Sequence, residues 1–535
     1  MEKIITIGAK INLTADNLIK YGDYIAKVKA FNFNHLPKKA KFILVTAINP
    51  TKAGEGKTTC SIGIADMLNH LGYQTTLALR EPSLGPVFGL KGSATGGGEC
   101  VMQPENEINL HYTGDFHAIT TANNMVSAII DNILYWGNAL QIDPARVVWQ
   151  RCLDVNDRAL RSVEIKINDK IQRNEHFQIT AASEIMAILG LSKDFNDLRR
   201  RLDQAIVAYN YENKPVYLHQ LQITGSLLAL LKDALLPNLV QTKYGTPLLV
   251  HCGPFANISH GANSLIATDL ALKLSDYVVS EVGFGSDLGF EKFNDIINLK
   301  EEYTPDCTVL VATIRALKLH GGADETKLAS VDFASLQKGL AHLEHHIKII
   351  QNYHLNFVVC LNQFATDSPE EITLVTNWLA EQKIPFGINN TYHLGIKDNP
   401  MLVETIIKQT TQPQQYQLLF NPLTTSLSDK IKIICEKIYQ TTKVTFSSAA
   451  KEKIAFYEQD NKYKDWPVCM AKNHQTIFGN KDPNDNHITI RDLKINSGAE
   501  YFIAYLADII TMPGLNKNPN ALGIDVVDDQ IINIK

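Results

Sequence analysis

Short runs of apolar and β-branched residues, each closed by Gly, Pro, Asn or a charge, recur along the chain at 42–47, 75–79, 247–251, 277–281, 308–313 and 356–361. They are apolar almost throughout rather than alternating, the pattern of strands buried on both faces. Between them lie segments of helical period, such as 58–71, 264–274 and 336–350. This order predicts βαβ units, hence an α/β fold with a doubly wound, mostly parallel sheet whose ligands collect at the carboxyl ends of the strands.

The pattern changes twice. From about 150 to 237 the chain is more charged and is expected to form a helical insertion. Beyond 366 regularity falls, and a Gln-rich run at 410–415 marks a further boundary. The expected division is a large domain over 1–365, a smaller α/β domain over 366–440 and a C-terminal α/β domain over 441–535.

With 535 residues, 45% of them hydrophobic, the chain can bury several cores. Its formal charge of −5 offers no basic field for nucleic acid, so small anions must be held by local cations. The first residues lack the apolar core and cleavage site of a secretion signal, and no apolar run is long enough for a bilayer. Eight scattered cysteines without a CxxC pair are expected to be reduced, buried thiols of a cytoplasmic protein.

The sharpest chemical signal follows the first predicted strand. Thr51-Lys52-Ala53-Gly54-Glu55-Gly56-Lys57-Thr58-Thr59 joins a strand to a helix, as a phosphate-binding loop requires. Gly54 and Gly56 let backbone N–H groups face a phosphate, Lys57 reaches the terminal phosphates, and Thr58 is a candidate Mg²⁺ ligand. Thr51 stands where the common pattern has its first glycine; a glycine loop that only caps the helix is the bland alternative. The loop also fits the switch ATPases of the partition and division-site type, whose extra lysine Lys52 would supply. The second strand ends at Arg80-Glu81, and handedness predicts Arg80 beside the loop, where its fork can hold a carboxylate or phosphate. A surface ion pair with Glu81 is the competing role for Arg80.

Beyond Arg80 the text becomes specific. Arg80-Glu81-Pro82-Ser83-Leu84-Gly85-Pro86, the glycine-rich run from Gly89 to Gly98, and Ile108-Asn109-Leu110-His111-Tyr112-Thr113-Gly114-Asp115 resemble the formate–tetrahydrofolate ligases. Later blocks agree in order, among them Val311-Ala312-Thr313-Ile314-Arg315-Ala316-Leu317-Lys318 and Pro467-Val468-Cys469-Met470-Ala471-Lys472. The resemblance implies an ATP-dependent ligase in which formate attacks the γ-phosphate and tetrahydrofolate takes the formyl group from formyl phosphate. It implies catalytic roles for Lys57, Arg80 and Asp115, and ligand contacts at Glu81, Phe284, Phe364, Ile388 and Tyr392, with a pterin lying between rings. Core packing is the competing role for those rings. ATP with Mg²⁺, a monovalent cation, a homotetramer and a folate site built partly by 366–440 are further implications.

Departures from the family pattern are local. Gly92-Ser93-Ala94-Thr95-Gly96-Gly97-Gly98-Glu99 lacks the usual final tyrosine, Tyr392 stands for a tryptophan, and Asn473-His474-Gln475 replaces Thr-Gln-Tyr. They cluster toward the folate and base regions rather than Lys57 and Arg80, which leaves a paralogue with an altered acceptor as the other expectation.

Overall fold

In the strand Lys41–Ala47 (β1), Ile43, Val45 and Ala47 join one apolar cluster while Phe42 and Leu44 join another, so both faces of the strand are buried. The same alternation holds in Thr75–Leu79 (β2), Pro247–Val250 (β3), Tyr277–Glu281 (β4), Cys307–Ala312 (β5) and Phe357–Asn362 (β6). A parallel sheet covered by helices on both faces demands this pattern. The structure, a computed structural model, describes residues 1–52, 54–89, 92–300, 302–479 and 485–534. Among them β1–β6 and a seventh strand, Phe386–Asn389 (β7), pair in parallel in the order β3-β2-β4-β1-β5-β6-β7.

Helix Lys57–His70 (α1) covers one face of this sheet through Cys60, Ile64, Met67 and Leu68. Helices Leu265–Leu274 (α2), Ile314–His320 (α3) and Phe333–Gln351 (α4) belong to the cluster on the other. Beyond β3 the sheet continues in antiparallel fashion through Asn238–Thr242, Ile25–Val28 and Leu18–Tyr21. A three-stranded sheet near the C-terminus, with Tyr501–Tyr505 between Val468–Ala471 and Asp492–Asn496, leads into the buried Lys472.

Three sequence expectations change. The stretch 150–237 is mixed rather than helical, because short antiparallel pairs such as Val163–Lys166 with Gln172–Glu175 stand beside its helices. The main sheet runs past 366 to take β7. Finally, β1 and β2 are not neighbours: β4 lies between them and pairs with both. The eight cysteines are free and buried. No helix of the described residues is long and apolar enough to cross a membrane.

Candidate active site

The phosphate loop leaves the carboxyl end of β1. Gly54 and Gly56 have φ of 78° and 72°, in the left-handed region that favours glycine, and Gly56 leads directly into α1. A Cβ on Gly56 would stand 2.6 Å from the Asn362 amide nitrogen. That amide donates to the Glu55 carbonyl at 3.1 Å, and Asn389 in turn donates to the Asn362 side chain at 2.9 Å. The ends of β6 and β7 thereby brace the loop.

Not every loop side chain faces a ligand. The Glu55 carboxylate turns inward, accepting the Thr51 N–H at 2.7 Å and the Thr313 hydroxyl, so it staples the loop. Lys52 points outward to Glu325, with 75% of its side chain exposed. Ala53 lies outside the described residues. Lys57 and Thr58 form the first turn of α1, and Thr59 is buried behind them.

The Thr58 hydroxyl donates to the buried Glu281 carboxylate, with oxygens at 2.9 and 3.1 Å. Glu281 ends β4, the strand between β1 and β2. Arg80, just past the end of β2, stands beside the segment that follows β4: a Cβ on Gly283 would lie 3.0 Å from its Nη1. Its Nη1 donates to the Pro254 carbonyl at 3.4 Å, and its Nε has no hydrogen-bond partner among the described residues. Burial works against the charge of Arg80, and Glu281 supports it.

Glu81 is not the partner of Arg80. Its carboxyl is buried near Asp115, and burial followed by the Asp115 charge pushes it well above the usual carboxylate range. Asp115 is itself buried, 2.7 Å from Lys27 Nζ, and accepts from the Asn238 amide at 2.8 Å. The three groups make a compact cluster of two carboxyl groups and one cation.

The four ring-site residues divide. Phe364 follows β6, Ile388 lies in β7 and Tyr392 follows it, so these three share one corner of the carboxyl edge. Ile388 and Tyr392 are 38% and 45% exposed, and a Cβ on Gly97 would touch the Tyr392 ring at 3.0 Å. Phe364 lies under the Arg315 guanidinium, 3.6 Å from the ring centroid. Phe284 follows β4 and stacks on His474, with centroids 4.3 Å apart. It thus follows a different strand end, that of β4, from the three residues at the ends of β6 and β7.

Sequence reasoning passed over Glu281, Lys27, Asn49 and Asn362. Glu281 closes a predicted strand with an acid, and Lys27 interrupts an apolar run; both were readable signals. The asparagines carry none, since their work depends on which strands become neighbours.

The family model for formate–tetrahydrofolate ligase matches residues 1–534. Two curated relatives of that name, from two strains of Staphylococcus epidermidis, are each 44% identical over 538 residues, covering 99% of this chain and 96% of theirs. The switch-ATPase alternative accounted for residues near 42–80 alone, and a match of this extent does not favour it. The chain belongs to the formate–tetrahydrofolate ligase family.

Proposed function

We propose that this protein joins formate to tetrahydrofolate with the hydrolysis of ATP to ADP and phosphate, forming 10-formyltetrahydrofolate. The observation that carries the reading is the row of groups on three adjacent strand ends: the phosphate loop after β1, Glu281 on β4 with Thr58 against it, and Arg80 on β2. A formate oxygen attacks the γ-phosphorus and the bond to the ADP oxygen breaks, giving formyl phosphate. Two anions must approach, so Lys57 and Arg80 offset their repulsion where water is excluded. The unpartnered Nε of Arg80 leaves a donor for an incoming carboxylate.

Thr58 and Glu281 supply hard oxygen donors, which fit Mg²⁺ when phosphates and water complete its shell. Bound there, the ion would neutralise charge on the phosphates. In the second half-reaction the N10 amine attacks the formyl carbon, phosphate leaves and the amine loses its proton. The Glu81–Asp115 pair, with Lys27 beside it, is the candidate acceptor of that proton. Tyr392, Phe364 and Ile388 offer faces for a pterin, and Phe284 with His474 offers one for the base or the pterin. Family membership also supports a cytoplasmic homotetramer aided by a monovalent cation, testable by sedimentation and by potassium titration.

ATP, Mg²⁺, formate and tetrahydrofolate supplied together, then with each omitted in turn, test this directly. ADP and the formylated folate are expected only from the complete mixture. ATP turnover indifferent to formate and folate would overturn it.

A further inference from the structure

Asn49, buried two residues past the end of β1, is the point where the phosphate loop is tied to the rest of the molecule. His320 Nε2, at the end of α3, lies 3.0 Å from its carbonyl oxygen and donates to it. His346 Nε2, on α4, lies 3.2 Å from its backbone nitrogen and 3.0 Å from its side-chain oxygen. Its amide nitrogen donates to Asp287 at 2.9 Å and to the His474 carbonyl at 3.1 Å. Every polar group of this residue is thus held, its N–H and side-chain oxygen by His346, its carbonyl by His320 and its amide nitrogen by Asp287 and the His474 carbonyl.

The histidines form one unit. His342 stacks on His320 at 3.9 Å between centroids, and its Nε2 lies 3.2 Å from that of His346. The other nitrogen of His346 lies 2.7 Å from the Ser286 hydroxyl, which can donate or accept. Either neutral tautomer of His346 consequently bonds Asn49: Nε2 accepts from the backbone N–H in one and donates to the side-chain oxygen in the other. Burial pushes His320, His342 and His346 below the ordinary histidine range, which keeps these neutral forms.

We propose that His346 and His320 are positioning residues for ATP, fixing through Asn49 the backbone of the phosphate loop. This rests on the ligase reading above and assigns the two rings no contact with substrate. A loop whose N–H groups must meet phosphate oxygens binds and orients them less well when its root shifts, and in catalysis misplacement near 1 Å can cost about a hundredfold in rate. Asp287, which shares Asn49, is fixed by Lys472 at 2.5 Å, and the hub therefore also joins the loop to the C-terminal unit.

The test uses pairs of variants in the full-length protein. Asn at 346 reaches the Ser286 side but not Asn49, whereas Gln places an amide where Nε2 stood. His346→Asn is expected to raise KM for ATP, and the dissociation constant for ATP in direct titration, by about tenfold or more. KM for tetrahydrofolate should stay within about twofold, because Phe364, Ile388 and Tyr392 contribute no hydrogen bond to the Asn49 hub. His346→Gln should recover most of that loss. His320→Ala and His320→Gln repeat the contrast at a less buried site, so that a folding failure of the first pair still leaves a decision.

A role in core packing alone predicts equal damage from Asn and Gln, with lower melting temperature and all constants moving together. That outcome, or an unmoved ATP constant in His346→Asn and His320→Ala, overturns the proposal. A wild-type protein that makes no formylated folate but binds ATP would sink the ligase reading, while the titration contrast would still judge the histidines.

Discussion

The Thr58 hydroxyl and the Glu281 carboxylate, 223 residues apart in sequence, are hydrogen-bonded at 2.9 Å across the base of the phosphate loop. One comes from the first turn of α1 and the other from the neighbouring strand β4. If this pair serves Mg²⁺, Glu281→Gln keeps the shape but lowers the donor charge. The Mg²⁺ concentration for half-maximal rate should rise about tenfold or more. An unchanged Mg²⁺ dependence would remove Glu281 from the metal's surroundings.

Lys57→Ala removes the loop's own cation. A loss of at least about 3 kcal/mol of transition-state stabilisation, roughly a hundredfold in rate, is expected. Near-normal turnover would contradict the phosphate-loop assignment.

In the proposed reaction Arg80 meets formate and the transferring phosphoryl group, and its Nε has no hydrogen-bond partner among the described residues. Arg80→Lys keeps the charge and loses the planar fork, so kcat should fall by about tenfold or more while ATP binding moves little. Collapse of ATP binding in direct titration would make Arg80 a nucleotide anchor instead.

His260 gives a prediction about acid. It is fully buried, its Nε2 has no hydrogen-bond partner among the described residues, and burial with Arg80 and Arg201 lowers its pKa to about 3. The unfolded chain takes up the proton near 6.5, so the neutral folded ring costs stability as pH falls from there toward 3. At pH 5 the cost is about 2 kcal/mol, and His260→Gln, which cannot be protonated, should lose that much less between pH 7 and pH 5. Urea midpoints at the two pH values measure it, and parallel losses would refute it.

The β-branched runs gave six strands of the central sheet to within a residue at either end, because strands buried on both faces leave an unbroken apolar signature. β7 escaped: Phe386-Gly387-Ile388-Asn389 is short, lies at the sheet edge and leaves Ile388 half out of the core. The loop was legible because its glycines and Lys57-Thr58 are contiguous. Its bracing was not, since Asn49 and Asn362 act only through strand order. The expectation that β1 and β2 are neighbours failed for that reason: local handedness does not say that a later strand, β4, will insert between them.

Tyr392 separates the two half-reactions. Its ring packs on Gly97 at one side, is 45% exposed, and lies with Phe364 and Ile388 at a corner away from the Thr58–Glu281 pair. If this ring is one face of the pterin site, Tyr392→Ala removes a stacking surface worth on the order of 1–3 kcal/mol. KM for tetrahydrofolate should then rise roughly tenfold, and KM for ATP should stay within about twofold. Phosphoryl transfer from carbamoyl phosphate to ADP involves no folate and should persist. The melting temperature should change little, because a half-exposed ring contributes only part of its area to the core. A ring that mattered for packing alone would behave otherwise: melting temperature and both activities would fall together. Four measurements on one preparation, the two constants, the reverse transfer and the melting temperature, distinguish these cases, and a folate constant that stays put takes Tyr392 out of the site.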